Sequence, residues 1–507
     1  MKASSTTVSN IGENTFFTVM SIVFLTAIYI YTFGISLFGR FGEIAPMDLG
    51  SLTIPSVILF IFICTLSIWK RKFYFIFLIF VILAFPSPID DIFPSVYITN
   101  PDDKIQVAFP LITRVDIYLL LGIIIGILKN KLKLNTIQFN LIIKLFLISF
   151  TIVFLLNFYT SSDIIDLNQF IAYSFHIRYF ILLLILLSLY DIRKYEQEIV
   201  LSFVISIIFL YVEAQLNTYM KGLDRLTSGS LSLNTFANIS AAILVYITYL
   251  YKNNLINKSK GIAIFTIVSF ILLGSGTRGA ILTLIISFFF LYLLSNLRRL
   301  GINIIKIILA VILISITYVE LSNKGYIPER YSYEVIAQKI NIDFSKENFA
   351  DMVQVQRTKE TSSIKSRVDL FDSSINMIFE NPLTGIGVGR WNRYKNNYST
   401  HSNIVKVLLD PHNDYLALMS QYGIILGLLF AIIIFAYPFF LFLNIKKKDN
   451  GKLKFLYVVN ITMGLAAMSN AGFFKHQVAA VLIFCLCVLL QLNQDYKNGF
   501  IQSELNN

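Results

Sequence analysis

Apolar runs separated by short polar segments follow one another along almost the whole of this 507-residue chain. Fourteen of these runs are candidates for the ~20-residue helix that crosses a bilayer. The third and ninth runs are short enough to be tilted, broken or re-entrant, which keeps a count of twelve open. The predicted spans are residues 15–38, 51–69, 73–86, 107–128, 141–157, 170–190, 199–219, 235–251, 261–275, 279–296, 302–320, 413–443, 455–471 and 477–491.

The composition agrees with this pattern. Hydrophobic residues make up 56% of the chain and charged residues only 14%, whereas soluble domains carry ~25% charged residues. A cytosolic enzyme and a disordered chain are therefore excluded. Cys64, Cys485 and Cys487 all lie in apolar runs, so they indicate no disulfide framework. We predict an all-α polytopic membrane protein with about 12–14 transmembrane helices.

The distribution of basic residues predicts the orientation. If the N-terminus is cytoplasmic and the spans alternate, every dense basic cluster in a short loop lies on the cytoplasmic side, as the positive-inside rule requires. Both termini are then cytoplasmic, and the net charge of +12 indicates membrane topology rather than nucleic-acid binding. The clusters are Lys70–Lys72, Lys129/Lys131/Lys133, Arg193–Lys194, Lys252/Lys258/Lys260, Arg298–Arg299 and Lys446–Lys448.

This topology divides the chain into three parts. Residues 1–320 contain the first eleven helices, residues 321–411 form a large periplasmic loop, and residues 412–507 contain the last helices and a cytoplasmic tail. Within the loop, residues 363–380 carry apolar side chains at helical spacing, at positions 364, 368, 371, 375 and 378. They predict an amphipathic helix that lies on the membrane or packs over the bundle; a plain packing helix is the alternative.

Several charged residues on the outer side are not explained by the positive-inside rule. Each costs ~2.5–3.5 kcal/mol at membrane depth, so their clustering predicts a hydrated cavity below the outer surface. Arginine binds phosphate bidentately, and the glycines beside Arg278 allow backbone N–H groups to approach an anion. Pairing of each arginine with a buried carboxylate is the alternative. These residues are Arg278, Arg225, Arg178, Arg114, His176, Asp116 and Glu213.

A second candidate site is Asp410–Tyr415, where the long loop returns to the bundle. A neutral His412 at a helix start could act as a general base, although it could equally cap or hydrogen-bond the start of that helix. A metal site formed with His401, Asp410 and Asp414 has a spacing that matches no known site. The chain shows no nucleotide-binding motif. The energy of a reaction would then come from the substrate, as it does for a sugar on a lipid diphosphate.

Three segments resemble the O-antigen ligase and O-antigen polymerase (Wzy-type) superfamily of bacterial membrane glycosyltransferases. They are GSGTRGA at 274–280, SRVDLFDSSINMIFENPLTGIGVGRW at 366–391 and HNDYLALMSQYGIILGLLF at 412–430; residues 225–244 resemble a further arginine-bearing loop of the family. The resemblance implies a GT-C-like bundle in the inner membrane. It also implies inverting transfer of a glycan from undecaprenyl diphosphate at the periplasmic face, with neither a metal nor another cofactor.

The resemblance also implies roles for residues. His412 would deprotonate the acceptor hydroxyl, and Arg278 and Arg225 would hold the diphosphate. Arg178 is added as a third diphosphate ligand, and Asp116 as its neighbour, from the charge argument alone. The residues expected to line the glycan and acceptor loop are Arg367, Arg390, Trp391, Asn413 and Asp414.

Four activities remain open from the sequence. A polymerase, the favoured one, needs a second anion site for an acceptor that carries its own lipid diphosphate; surplus basic residues (Arg178, Arg367, Arg390, Arg393 and Lys395) could supply it. A ligase would use lipid A–core, and an oligosaccharyltransferase would use a protein. A flippase is disfavoured because the intramembrane charges gather on one side and no repeat is visible. The predicted partners are the lipid-linked oligosaccharide, an acceptor glycan, membrane lipids and a chain-length regulator, with no nucleic acid.

Overall fold

The protein is an all-α membrane protein, described here by a computed structural model. The structure describes residues 49–85, 95–99, 106–110, 112–130, 141–160, 175–221, 233–275, 277–295, 320, 340–342, 353–355, 362–399, 411–445, 451–468 and 472–505. The predicted span 15–38 and nearly all of 302–320 lie outside these residues.

The helices that precede the long loop are α1 (Leu49–Trp69), α2 (Arg71–Leu83), α3 (Arg114–Asn130), α4 (Leu141–Thr160), α5 (Phe175–Ser188), α6 (Glu196–Lys221), α7 (Leu233–Lys252), α8 (Lys258–Ser275) and α9 (Arg278–Ser295). The later ones are α10 (Ser362–Glu380), α11 (Trp391–Tyr394), α12 (Asp414–Tyr422), α13 (Ile424–Ala431), α14 (Tyr437–Ile445), α15 (Tyr457–Ala466) and α16 (His476–Leu505). Two short antiparallel hairpins pair β1 (Ser95–Thr99) with β2 (Gln106–Pro110) and β3 (Ile340–Ile342) with β4 (Val353–Val355).

Three stretches of the described chain are long and apolar enough to cross a membrane: Ile192–Gln215, Ile424–Ile445 and His476–Tyr496. Shorter apolar helices accompany them at Ser56–Trp69, Ile143–Val153, Phe175–Ser188, Gly279–Phe289 and Leu453–Ala466. The prediction of an all-α membrane protein is confirmed. The count of 12–14 crossings and the GT-C-like arrangement stay predictions.

One end of the bundle, which we call the lower end, is where α15 begins. Glu196 at the start of α6 accepts hydrogen bonds from the backbone N–H groups of Lys452 and Leu453, just before α15. Tyr246, near the end of α7, donates to the Lys452 carbonyl at 3.1 Å. The opposite end, where α15 ends and α16 begins, is called the upper end. Helices α6 and α15 therefore run upward, and α7 runs downward.

The described basic clusters gather at the lower end. Lys72 pairs with Glu198 near the start of α6, and Arg193 pairs with Asp495 far along α16. This arrangement agrees with the predicted alternation of the helices. Which end faces the cytoplasm stays a prediction.

The predicted single span 413–443 is wrong, because the structure divides it at Gly423. There φ is +82°, and the N–H of Ile424 donates to the Pro382 carbonyl at 2.8 Å. A straight helix would separate Tyr415 and Phe435 by about 30 Å, but their ring centroids are 5.6 Å apart. Helix α13 therefore folds back along α12 as a helical hairpin, and residues 432–436 form a π-helical turn before α14.

Glycine makes this close crossing possible. A Cβ atom on Gly427 would lie 2.7 Å from the backbone of Met419, which is closer than any real carbon atom can approach. The apolar pattern continues across Gly423 without a break, so periodicity alone could not reveal the hairpin.

Candidate active site

His412 immediately precedes α12 and has a left-handed backbone conformation, with φ of +50°. Asn254, in the lower-end turn between α7 and α8, is the other positive-φ non-glycine residue in the described part of the chain. A left-handed conformation costs a non-glycine residue roughly 1–2 kcal/mol, and surrounding contacts must maintain it. Such residues cluster at functional sites. The half-buried His412 is thus a strained residue at the position predicted for the general base.

Asn413 fixes the start of α12 on two sides. Its Oδ1 atom accepts the N–H of Leu416 at 3.1 Å, as a helix N-cap does. Its Nδ2 atom donates to the Met468 carbonyl at 3.1 Å, just after α15. Asn413, the residue after His412, is therefore joined to the upper end of α15.

Asp414 joins the same helix start to the beginning of α16. Its N–H donates to the Ala467 carbonyl at 2.9 Å, and its carboxylate accepts the N–H groups of Gly472 and Phe473, each at 3.0 Å. The side chain is buried, with 3% of the residue exposed. These contacts explain how the conformation of His412 is maintained. Contact of Asn413 and Asp414 with a glycan stays a prediction.

Asp116 and Arg178 form a bidentate ion pair at the upper ends of α3 and α5. Arg178 Nε lies 2.6 Å from Asp116 Oδ1, and Nη2 lies 3.0 Å from Oδ2. The N–H of Thr113 also donates to this carboxylate, at 2.8 Å. The side chains are 30% exposed for Arg178 and 5% for Asp116. Carboxylate pairing, the alternative considered for each arginine, is thus present at Arg178, and its role as a diphosphate ligand stays a prediction.

A chain of hydrogen bonds extends from this ion pair to α16. The hydroxyl groups of Thr113 and Tyr179 lie 2.9 Å apart, and Tyr179 Oη lies 3.1 Å from His476 Nδ1. Nearby, His176 Nε2 lies 3.2 Å from the Phe473 carbonyl. Because Phe473 also donates to Asp414, the upper ends of α3, α5, α12 and α16 form one connected polar unit, which we call the upper network.

Helix α10 and the following residues 381–399 form a compact unit that we call the cap. The predicted helix 363–380 is confirmed at Ser362–Glu380, but the predicted apolar face is only partly its packing face. Leu370 and Met377 are fully buried with Trp391, whereas Phe371 and Ile375 are half-buried. The difference arises because residues 381–399 fold back over the side of α10 that carries Leu370.

Several charged residues of the cap are buried. Arg390 and Lys395 are 7% and 0% exposed, and Asp369 and Asp372 are 1% and 2% exposed. Equal numbers of buried acids and bases give the charge balance that burial requires. Trp391 Nε1 donates to Ser374 Oγ at 3.0 Å. Contact of Arg390, Trp391 and the half-buried Arg367 with a glycan stays a prediction.

The cap is joined to the α12–α13 hairpin through main-chain groups. Ile386 N–H donates to the Ser420 carbonyl at 2.9 Å, and Gly389 N–H donates to Gln421 Oε1 at 2.8 Å. Gly385 has φ of +65°, and a Cβ atom there would overlap the Gln421 carbonyl. The loop motif at 366–391 and the helix motif at 412–430 therefore form one interlocked unit.

Arg278 opens α9, and the structure describes its backbone position. The tight turn at 253–257 makes α8 antiparallel to α7, so α8 ends and α9 begins at the upper end. The N–H groups of Ala280 and Ile281 bond the Thr277 carbonyl, which forms the first helical turn. Free N–H groups and the helix dipole favour an anion at such a terminus. Arg278 and His412 thus lie at the same end of the bundle.

Residues 262–431 match the family model described as O-antigen ligase (Wzy_C). This segment is similar to the O-antigen ligase family. The matched segment is about a third of the chain and contains the turn of Arg278, the cap and the α12–α13 hairpin. The resemblance to the O-antigen ligase and polymerase superfamily is confirmed, and members of this family are glycosyltransferase-like enzymes. No curated protein matches the chain at a significant level.

The matched segment does not contain the whole candidate site. Arg178 and Asp116 precede it in the chain, and His476 follows it. Thr113, Tyr179 and His476 were missed by sequence reasoning, because no motif marks them and their contacts join distant parts of the chain. Tyr179 and His476 are 297 residues apart, so no spacing rule could connect them.

Three residues of the sequence hypotheses lie outside the described chain: Arg225, His401 and Asp410. Among the described residues, no three His, Cys, Asp or Glu side chains form a group that could hold a metal ion. The metal hypothesis depended on His401 and Asp410, so the structure leaves it untested.

Proposed function

We propose that this protein transfers a glycan from undecaprenyl diphosphate to an acceptor hydroxyl at the periplasmic face of the bacterial inner membrane. The observation that carries the proposal is the position of His412. It has a strained backbone, and it shares the upper end with Arg278. The two residues after it are hydrogen-bonded to the chain just after α15 and just before α16. The basic clusters at the lower end support a cytoplasmic location for that end.

In the proposed reaction, His412 accepts the proton of the acceptor hydroxyl as its oxygen attacks the anomeric carbon. The bond from that carbon to the diphosphate oxygen breaks, and the anomeric centre is inverted. Arg278 and Arg225, with the N–H groups at the start of α9, stabilise the charge on the leaving diphosphate. The scheme uses no metal and no other cofactor. Arg178 would act as a third ligand only if the diphosphate competes with Asp116.

The identity of the acceptor distinguishes a polymerase from a ligase. The sequence favours a polymerase because surplus outer basic residues could bind a second lipid diphosphate. Burial of Arg390 and Lys395 inside the cap weakens that argument. The match to the O-antigen ligase family supports the second candidate, a ligase that acts on lipid A–core.

The test is transfer by the purified protein in vesicles that contain undecaprenyl-diphosphate-linked glycan. One reaction adds more lipid-linked glycan as the acceptor, and a parallel reaction adds lipid A–core. Longer lipid-linked chains would indicate a polymerase, and glycosylated lipid A–core would indicate a ligase. Movement of the donor across the bilayer without transfer to either acceptor would contradict the proposal and indicate a flippase.

The diphosphate site has its own test. Arg278→Ala should weaken donor binding by roughly tenfold or more, since it removes a charge-assisted contact worth about 1.5–3 kcal/mol. Arg193→Ala, at the lower end, is the matched control and should bind the donor normally. Equal donor binding by wild type and Arg278→Ala would contradict the assigned role.

A further inference from the structure

The junction between the cap and α13 exposes a row of large apolar side chains. Phe379 at the end of α10 is 77% exposed, and Leu383 in the following turn is 70% exposed. Ile425, Leu428 and Ile432 follow along α13 and the adjoining π-helical turn, with exposures of 66%, 43% and 48%. The first two belong to the large loop and the last three to a candidate membrane span.

The row is continuous because the cap bonds directly to the first residues of α13. Ile424 N–H donates to the Pro382 carbonyl at 2.8 Å, and a Cβ atom on Gly423 would overlap the Leu383 carbonyl. Leu383 therefore adjoins the first turn of the span. Phe379 precedes Leu383 by only four residues. At Leu383, the exposed apolar surface of the span therefore continues onto the cap.

We propose that Phe379 and Leu383 insert into the lipid bilayer and anchor the cap at the membrane surface. The occupant of this apolar surface is lipid, because the surface is an extension of the face that α13 already presents to the acyl chains. Large apolar side chains at an interface gain from leaving water, and both lie on a cap that main-chain hydrogen bonds hold to the hairpin.

This anchoring sets the depth of the candidate site. Helix α12 ends at Gly423 and lies beside α13. It has nine residues, so its start next to His412 lies about 13 Å from Gly423 along the helix axis. With Leu383 in the bilayer, α12 is a re-entrant helix, and His412 lies at or below the level of the lipid headgroups. At this depth His412 would be level with a lipid-linked diphosphate. Its role there as a base rests on the proposed function, whereas the lipid contact of Phe379 and Leu383 does not.

The test places an environment-sensitive fluorophore on single cysteines in the full-length protein. The background carries Cys64→Ser, Cys485→Ala and Cys487→Ala, and the protein is reconstituted in phosphatidylethanolamine–phosphatidylglycerol vesicles. The test variants are Phe379→Cys and Leu383→Cys. Ile432→Cys on the span is the lipid-facing control, and Asn397→Cys on an exposed part of the cap is the aqueous control. Quenching is measured with lipids that carry a spin label on the acyl chain.

Labels at 379 and 383 should emit at shorter wavelength and be quenched at least about twofold more than the label at 397, close to the label at 432. Quenching equal to that at 397 would overturn the proposal. A short-wavelength emission without lipid quenching would also overturn it, because it would indicate a protein partner. The readout does not depend on glycan transfer, so an inactive protein would leave this result interpretable.

Discussion

Charged residues gather at both ends of the bundle, but they are used differently. At the lower end, Lys72 lies 3.5 Å from Glu198 and its side chain is 73% exposed. At the upper end, Arg178 binds Asp116 bidentately, and the Asp116 side chain is 5% exposed. An exposed pair contributes little to stability, whereas loss of one member of a buried pair is costly.

This contrast shows that the location of a charge determines its role. The lower-end residues Lys72, Arg193 and Lys194 have exposed side chains and are suited to orienting the chain in the membrane. Upper-end polar residues bond across α3, α5, α12 and α16, and thereby fix the segment that contains His412. The same residue types thus serve topology at one end and positioning at the other.

Gly423→Ala should have the largest effect on stability. An alanine there must adopt φ near +82° and would overlap the Leu383 carbonyl, which together should cost about 3 kcal/mol or more. Gly261→Ala at the lower end is the control, since the nearest atoms to its Cβ belong to the side chains of Tyr251 and Ile256 rather than to backbone. Thermal unfolding in detergent should show a large loss for the first variant and little change for the second. Equal losses would contradict the interlocked hairpin.

Asp116→Ala should have the next largest effect. It removes the partner of Arg178 and the acceptor of the Thr113 N–H, so about 2 kcal/mol of stability should be lost. The cost is below that of a fully buried pair because water reaches Arg178. The midpoint of thermal unfolding measures this change. Stability equal to wild type would show that the ion pair does not hold α3 to α5.

Tyr179→Phe should have a moderate effect. It removes the hydroxyl that joins Thr113 to His476, and about 1 kcal/mol should be lost. The same change at Tyr246, which donates to the Lys452 carbonyl at the lower end, is the matched control. Both variants should be similarly destabilised, but only Tyr179→Phe should lower the rate of transfer. An equal change of rate in both would contradict a special role for the upper network.

Glu198→Gln should have the smallest effect. Its partner Lys72 is mostly exposed, so the loss of stability should be below about 1 kcal/mol. Unfolding measured at low and high salt should give nearly the same midpoint as wild type. A loss as large as that of Asp116→Ala would remove the distinction between the two ends.

Local pattern predicted much of the fold. Helical spacing placed α10 within one residue of its observed start, and the basic clusters predicted the alternating directions of α6, α7, α15 and α16. The hairpin at Gly423 could not be predicted in this way, because one glycine in an apolar run is tolerated in a helix. Its position is set by contacts with Pro382 and Leu383, about forty residues earlier.

The candidate site, too, was predictable only where it depends on local sequence. His412 and Arg278 stand in short motifs, so sequence alone could select them, and the structure places both at the upper end. Their supporting residues come from distant parts of the chain, as the contact of Tyr179 with His476 shows. The buried positions of Arg390 and Lys395 also depend on folding of the cap, which the local sequence does not reveal.

The most direct test of the central claim is single-turnover glycan transfer by His412→Asn. Asparagine tolerates the left-handed backbone but cannot act as a base, so folding and donor binding should be retained. The rate should fall by about 10²–10⁴-fold, while His476→Asn, which changes a histidine of the upper network, should lose less. Transfer at the wild-type rate by His412→Asn would contradict the account.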